Sequence, residues 1–254
     1  MGRIIAVSNQ KGGVGKTSTA INLAYGLAEK GKKVLICDVD AQGNATTGLG
    51  IEKSGLENSI YEVIVEDADV KKTIIKSQYE NLFVLPSSID LAGAEVELVS
   101  MPKRERRLAA ALNKVRDSYD FIILDCPPAI GLLTINALAS ADGVLIPIQS
   151  EYYALEGLSQ LMNTIKLVRK GLNQKLEIEG VLITMYDGRA LISRQIKEEI
   201  TKYFGDKVFD TVIPRNIRVS EAPSHGVPVA VHDRKCRGAV AYEQFVKEYL
   251  GRCE

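Results

Sequence analysis

The sequence predicts an α/β fold: a doubly wound, mostly parallel sheet flanked by helices. Short β-branched runs alternate with longer amphipathic segments from end to end, the order of such folds. Several runs, FIILD and VLIPI among them, are almost wholly apolar, as strands buried on both faces are. The 254 residues are 46% apolar and 25% charged, enough for one large core and unlike a disordered chain.

In chain order, a first strand over residues 4–8 runs into Gln10-Lys11-Gly12-Gly13-Val14-Gly15-Lys16-Thr17-Ser18. A helix over 17–30 follows, with Ala20, Leu23, Ala24, Leu27 and Ala28 on one stripe and Gly31 just past its end. The second strand, 33–38, leads into Asp38-Val39-Asp40-Ala41-Gln42-Gly43-Asn44. Further strands are expected over 82–86, 121–125, 143–148, 180–185 and 208–213, with helices over 155–170 and 190–204. No repeat, low-complexity stretch or linker interrupts the pattern, so residues 1–254 are expected to form a single domain. Only ten residues precede the loop, which leaves no room for an N-terminal helix-turn-helix. Ligands in such folds sit at the C-terminal ends of the strands.

The loop after the first strand has the chemistry of a phosphate cradle. Glycines let the backbone wrap closely round an anion, and the following helix adds the positive end of its dipole. Lys16 would reach the β- and γ-phosphates and the Thr17 hydroxyl would coordinate Mg²⁺. The pattern G-x-x-x-x-G-K-S/T is not met in full, because Gln10 stands at the first glycine and a second lysine, Lys11, lies inside the loop. The competing reading is a glycine-rich turn between strand and helix. Asp125 ends an apolar strand, where an acid could hold Mg²⁺ through water, and Cys126-Pro127-Pro128 follows. Asp38 and Asp40, spaced i and i+2, point in different directions, so one of them faces the γ-phosphate and the attacking water. A capping or loop acid is the alternative for both.

Composition narrows the function. Lys plus Arg and Asp plus Glu each number 32, so the chain is not globally basic, though a local basic face remains open. No apolar run approaches the ~20 residues that span a bilayer, and the N-terminus has no signal-peptide pattern. The four cysteines are dispersed with no C-x-x-C pair, against a zinc site, an iron–sulfur cluster or a disulfide framework, and in keeping with a reducing cytoplasm.

Taken together these motifs resemble the ParA/Soj branch of the deviant Walker A, or ParA/MinD, ATPases. Lys11 to Thr17 matches the family's K-G-G-x-G-K-S/T, in which the first lysine is the signature. Asp38 to Asn44 resembles its D-x-D-P-Q-G-N segment, with Ala41 in place of the proline, and Asp125-Cys126-Pro127-Pro128 matches the second switch. Leu91 to Glu95, Glu151 to Gly157 and Ile213 to Gly226 extend the likeness over nearly the whole chain. The resemblance implies a P-loop ATPase fold that binds ATP and Mg²⁺ and closes into an ATP-dependent homodimer, with Lys11 reaching the partner's nucleotide. It implies that Gly12, Gly13, Val14, Gly15, Lys16, Thr17 and Ser18 cradle the phosphates and that Asp40 positions the hydrolytic water. Asp38 is then a supporting acid near Mg²⁺, with Thr17 and Asp125, and Pro214 and Asn216 line the adenine. A ParB-type partner would stimulate an otherwise slow hydrolysis, and the protein would be cytoplasmic and nucleoid-associated.

Residues 189–237 hold ten basic side chains against six acids, a net charge of +4 within a chain of zero net charge. A solvated helix face is the plain reading. The resemblance adds non-specific binding of double-stranded DNA through phosphates, with Arg189 and Arg218 at positions matching arginines used for it. Arg104, Arg106 and Arg107 read as an exposed helix face open to a ParB-type partner. The nearest alternative is MinD-like membrane positioning, which needs a C-terminal amphipathic helix. Here Tyr242, Phe245, Val246, Tyr249 and Leu250 form the stripe, and its expected use is core packing. A metabolic or iron–sulfur relative would need cluster cysteines, and a tyrosine autokinase a C-terminal tyrosine cluster.

Overall fold

The structure, a computed structural model, describes residues 1–151 and 154–253. Its strands lie in one sheet: β1 (Arg3–Val7), β2 (Val34–Asp38), β3 (Ile75–Lys76), β4 (Leu82–Leu85), β5 (Phe121–Asp125), β6 (Gly143–Gln149), β7 (Glu177–Tyr186) and β8 (Val208–Pro214). The order across the sheet is β3-β4-β2-β5-β1-β6-β7-β8. Every neighbouring pair is parallel except β3 with β4.

Period-two alternation sorts the strand residues between two helical layers. Ile4 and Ala6 of β1 pack with the helices Arg107–Asn113, Leu132–Ser140, Ala154–Gly171 and Leu191–Phe204. Ile5 and Val7 pack with the helices Lys16–Glu29 and Arg237–Cys253 on the opposite face. Both layers are apolar, which is why the central strands read as unbroken hydrophobic runs. Helices thus cover both faces, as the sequence predicts.

Register places the site. Val7 of β1 and Asp38 of β2 both stand opposite Asp125 of β5, so three strands end at one level. The segments that leave those ends are the glycine loop, the Asp38–Asn44 segment and the turn after Asp125, brought side by side at the C-terminal edge. The first helix starts at Lys16 and ends as predicted, with Gly31 at φ 77° donating its amide to the Ala28 carbonyl.

The C-terminal stripe is core. Tyr242, Phe245, Val246 and Tyr249 are buried, and Leu250 packs against them half-buried. Phe245 meets the Phe209 ring edge-on at 4.9 Å, and the Tyr242 hydroxyl lies 3.3 Å from that of Thr19 in the phosphate-loop helix. No helix among the described residues is long and apolar enough to cross a membrane.

Three features differ from the sequence expectation. The two-residue β3 is too short to show periodicity. Strand β7 starts at Glu177, earlier than predicted, because Glu179 is satisfied inside the sheet by Arg3 at 2.7 Å and the Tyr249 hydroxyl at 2.8 Å. The arginines of PKRERR are not simply an exposed face. Arg107 is mostly buried, donates to the carbonyls of Ile64 and Val65 and pairs with Asp67; Arg106 donates to Leu172 O and Arg104 to Val99 O. They cap chain ends at which carbonyls lack helical partners. Within the Glu151–Gly157 block, Tyr152 and Tyr153 lie outside the described residues.

Replacing Phe245 by Ala should cost about 3–5 kcal/mol, while Val240→Ala on the exposed side of the same helix should cost under ~1 kcal/mol. Urea unfolding midpoints of the two variants measure the difference.

Candidate nucleotide and magnesium site

The glycine loop owes its shape to two residues at positive φ, Gly13 at 74° and Gly15 at 84°, where a side chain would be strained. Among the described residues no atom lies within 4 Å of where a Cβ would stand on Gly12 or Gly13, so no side chain blocks the backbone. The loop is pinned from outside. Asn9 donates to Pro147 O at 2.7 Å and accepts the Lys11 amide at 3.1 Å, and the buried Thr184 hydroxyl donates to Val14 O at 2.8 Å. The Val14 carbonyl is thereby taken up by Thr184, which removes one oxygen that would repel an anion.

Lys16 is buried and donates to Lys11 O at 3.1 Å, so its cation stands inside the loop. Burial lowers its pKa, and the charge of Asp125 opposes that. Lys11 points outward instead and meets Glu151 at 3.2 Å. Glu151 also accepts from Gln149 at 2.7 Å and lies 3.5 Å from Arg215.

Asp38 and Asp125 are both fully buried, in register on adjacent strands. Asp38 is well supplied: one oxygen accepts the Thr46 amide and hydroxyl, each at 2.7 Å, and the other the Asp40 amide at 3.3 Å. Burial still raises its pKa to about 6. Neither oxygen of Asp125 has a hydrogen-bond partner among the described residues, and Thr17 stands close by without reaching hydrogen-bond geometry. Burial, then the charge of Asp38, pushes Asp125 well above the usual carboxylate range. A buried carboxylate left in that state lacks a cation. The donor set, one orphaned carboxylate beside a threonine hydroxyl, fits Mg²⁺, which takes one or two protein oxygens and fills its octahedron with water and phosphate. No group of three or more His, Cys, Asp or Glu capable of holding a metal occurs among the described residues, so an all-protein cage is not the design.

Asp40 takes the other direction, as its spacing from Asp38 predicts. It is partly exposed, with one oxygen accepting the Gln42 amide at 3.0 Å. Beside the loop, Gly15 and Ser18 share a cleft of about 380 Å³ with Thr184, Met185, Pro214 and Asn216. Met185 sits at φ 51°, the left-handed region, on the cleft wall. Asn216 accepts the Arg218 amide at 2.9 Å and so orders the turn after β8.

Arg189 and Arg218 follow the paired ends of β7 and β8, where Tyr186 stands opposite Pro214. The Arg189 side chain is 93% exposed, 3.5 Å from Asp187. Arg218 is half-exposed between Glu221 at 2.9 Å and Asp233 at 3.7 Å. Asn9, Thr46, Ser87, Glu151 and Thr184 went unpredicted as site residues. Ser87, Glu151 and Thr184 belong to segments distant in sequence, while Asn9 and Thr46 flank the loop and the Asp38–Asn44 segment with nothing local to distinguish them from any other polar residue.

A family model described as an AAA domain matches residues 2–178. The sporulation initiation inhibitor protein Soj of Bacillus subtilis is 58% identical over 248 residues, 98% of both chains. The chain belongs to the Soj/ParA family of chromosome-partitioning ATPases. The chromosome partitioning protein ParA of Myxococcus xanthus is 51% identical, covering 99% of this chain and 89% of its own. Among solved structures, cobyrinic acid a,c-diamide synthase from Mycobacterium smegmatis with bound ADP and magnesium aligns with TM-score 0.87 at 35% identity, over 100% of this chain and 96% of its own. The cell division ATPase MinD of Pyrococcus furiosus aligns with TM-score 0.81 at 27% identity over 100% of both. The synthase holds ADP and magnesium, and in this Soj/ParA chain the buried Asp125 oxygens are left without a hydrogen-bond partner among the described residues.

Asp125→Asn removes a buried charge with no partner. In EDTA it should raise the melting temperature by at least ~2–4 °C, the shift that ~1 kcal/mol gives a chain of this size, and ATP with Mg²⁺ should then add little stability. Differential scanning fluorimetry with and without Mg²⁺–ATP measures both effects.

Proposed function

We propose that this chain is a partition ATPase, acting as one ATPase domain, that cycles between a monomer and an ATP-bound sandwich dimer held on DNA. The observation that supports this most is the convergence of the glycine loop, Lys16 and the unpartnered Asp125 at one edge of the sheet in a Soj/ParA chain.

In this reading Lys16 and the amides from Gly12 to Ser18 hold the phosphates. Thr17 and Asp125 hold Mg²⁺, with Asp38 as a supporting acid fixed by Thr46. An ion held there would offset the negative charge of the nucleotide's phosphates. Pro214 and Asn216 line the adenine in the cleft beside Gly15. Asp40, the one acid of the three with access to solvent, positions the hydrolytic water. Lys11 leaves Glu151 and reaches the partner's nucleotide, for which a compact charge on a flexible stem is suited.

DNA is bound by the dimer without regard to sequence, through phosphates, by Arg189 and Arg218. Their present partners are exposed acids, and such pairs are worth at most ~1 kcal/mol, so phosphate competes with them readily. A ParB-type protein stimulates hydrolysis and releases the dimer, which places the protein in the cytoplasm on the nucleoid. The membrane-associated alternative needs a free apolar stripe at the C-terminus, and the stripe here is spent on the core.

The test is binding to random duplex DNA with ATP, ADP or no nucleotide across a salt series. Binding should require ATP and fall steeply with salt, and Arg189→Glu and Arg218→Glu should each weaken it at least tenfold with the dimer intact. Equal affinity in all nucleotide states would overturn the switch, and unchanged affinity of both variants would move the DNA to another face.

A further inference from the structure

We propose that Ser87 is a positioning residue for ATP hydrolysis, its hydroxyl fixing the Asp40 peptide and hence where the Asp40 carboxylate can reach. This rests on the role given to Asp40 above.

Ser87 lies two residues past β4, far in sequence from the loop, and is fully buried. Its hydroxyl donates to Asp40 O at 2.7 Å; the other acceptor in range, Ser88 O, is at 3.4 Å, so the proton goes to Asp40. The Ser87 amide donates to the Thr46 hydroxyl at 3.0 Å, and that hydroxyl donates to Asp38 at 2.7 Å. The chain of bonds therefore runs from the Asp38 carboxylate through Thr46 and Ser87 to the backbone of Asp40. It begins and ends within three residues of one segment but passes through the core. Thr46, like Ser87, is fully buried.

The Asp40 carbonyl has two lone pairs, and the Gly43 amide at 2.9 Å takes the other. Gly43 belongs to the same loop and moves with it, so it cannot set the loop against the sheet. Nor does residue 41 restrain the backbone: it is Ala, with no ring to fix φ. Among the described residues, side chains also tie this stretch through the buried Asp38 carboxylate, which accepts the Asp40 amide at 3.3 Å, and through Lys53, which donates to Gln42 O at 2.7 Å as an exposed and flexible strap. Ser87 thus makes the shorter of two buried side-chain ties on the Asp40 peptide, and the one that comes from outside the Asp38–Asn44 segment. Reaction geometry tolerates little error, since ~1 Å of displacement costs on the order of a hundredfold in rate.

The experiment compares wild type, Ser87→Ala, Ser87→Thr and Asp40→Ala in single-turnover hydrolysis, with protein in excess over Mg²⁺–ATP. Nucleotide affinity and amide hydrogen exchange of residues 39–43 are measured alongside, the exchange in the nucleotide-free protein. Ser87→Ala should bind ATP as tightly as wild type, hydrolyse it about tenfold more slowly, and exchange these amides faster. Ser87→Thr, which keeps the hydroxyl, should restore rate and exchange towards wild type. A Ser87→Ala protein with wild-type rate and wild-type exchange, beside an inactive Asp40→Ala, overturns the proposal and leaves the partition reading standing. Loss of ATP affinity in step with the rate, unrescued by Thr, makes Ser87 a general structural residue and also overturns it. If Asp40→Ala itself turns over normally, the failure lies in the role given to Asp40, and unchanged exchange in Ser87→Ala still refutes the anchor.

Discussion

A carboxylate buried without hydrogen bonds is among the most costly groups a fold can carry, and strand register obliges this one to carry Asp125. The residue ends β5 in line with Asp38 on one side and Val7 on the other, so it can move away from neither the second acid nor the glycine loop. Much of the surrounding architecture can be read as a response. Lys16 is drawn inside the loop, Asp38 is quieted by Thr46, and Thr17 stands in the first turn of the helix beside the charge. In the proposed reading the remaining imbalance is met by a divalent cation, which the phosphates of a nucleotide would help to hold.

The cations that the proposed cycle sends elsewhere are held lightly. Lys11 rests on Glu151 and Arg218 on Glu221, pairs with substantial solvent exposure on both sides. Such contacts orient a side chain at small cost to its release. By contrast, the anchors that shape the loops, Thr184 on Val14 and Ser87 on Asp40, are buried neutral hydrogen bonds. Fixed backbone with mobile charge is the division of labour that a nucleotide-driven switch requires.

Much of this was legible in the sequence. The fold class followed from apolar strands alternating with amphipathic helices, because burial on both faces writes itself into every residue of a strand such as Phe121–Asp125. The phosphate loop and the three acids were legible because their chemistry demands particular residue types at particular spacing. Strand β3 was not, being only two residues long, nor were the capping roles of Arg106 and Arg107, since the carbonyls those two arginines reach belong to segments distant along the chain. The same holds for Ser87 and Thr46. A serine two residues past a strand carries no mark of the peptide it will hold 47 positions away.

In the proposed cycle Lys11, unlike Lys16, acts on a second copy of the chain. Sedimentation velocity of wild type and Lys11→Ala with Mg²⁺–ATP, under conditions where both bind nucleotide, tests it most directly. The account predicts an ATP-dependent dimer for wild type and a monomer for Lys11→Ala with ATP bound. An ATP-dependent dimer of Lys11→Ala would contradict it, and would return Lys11 to the part it plays beside Glu151 within a single chain.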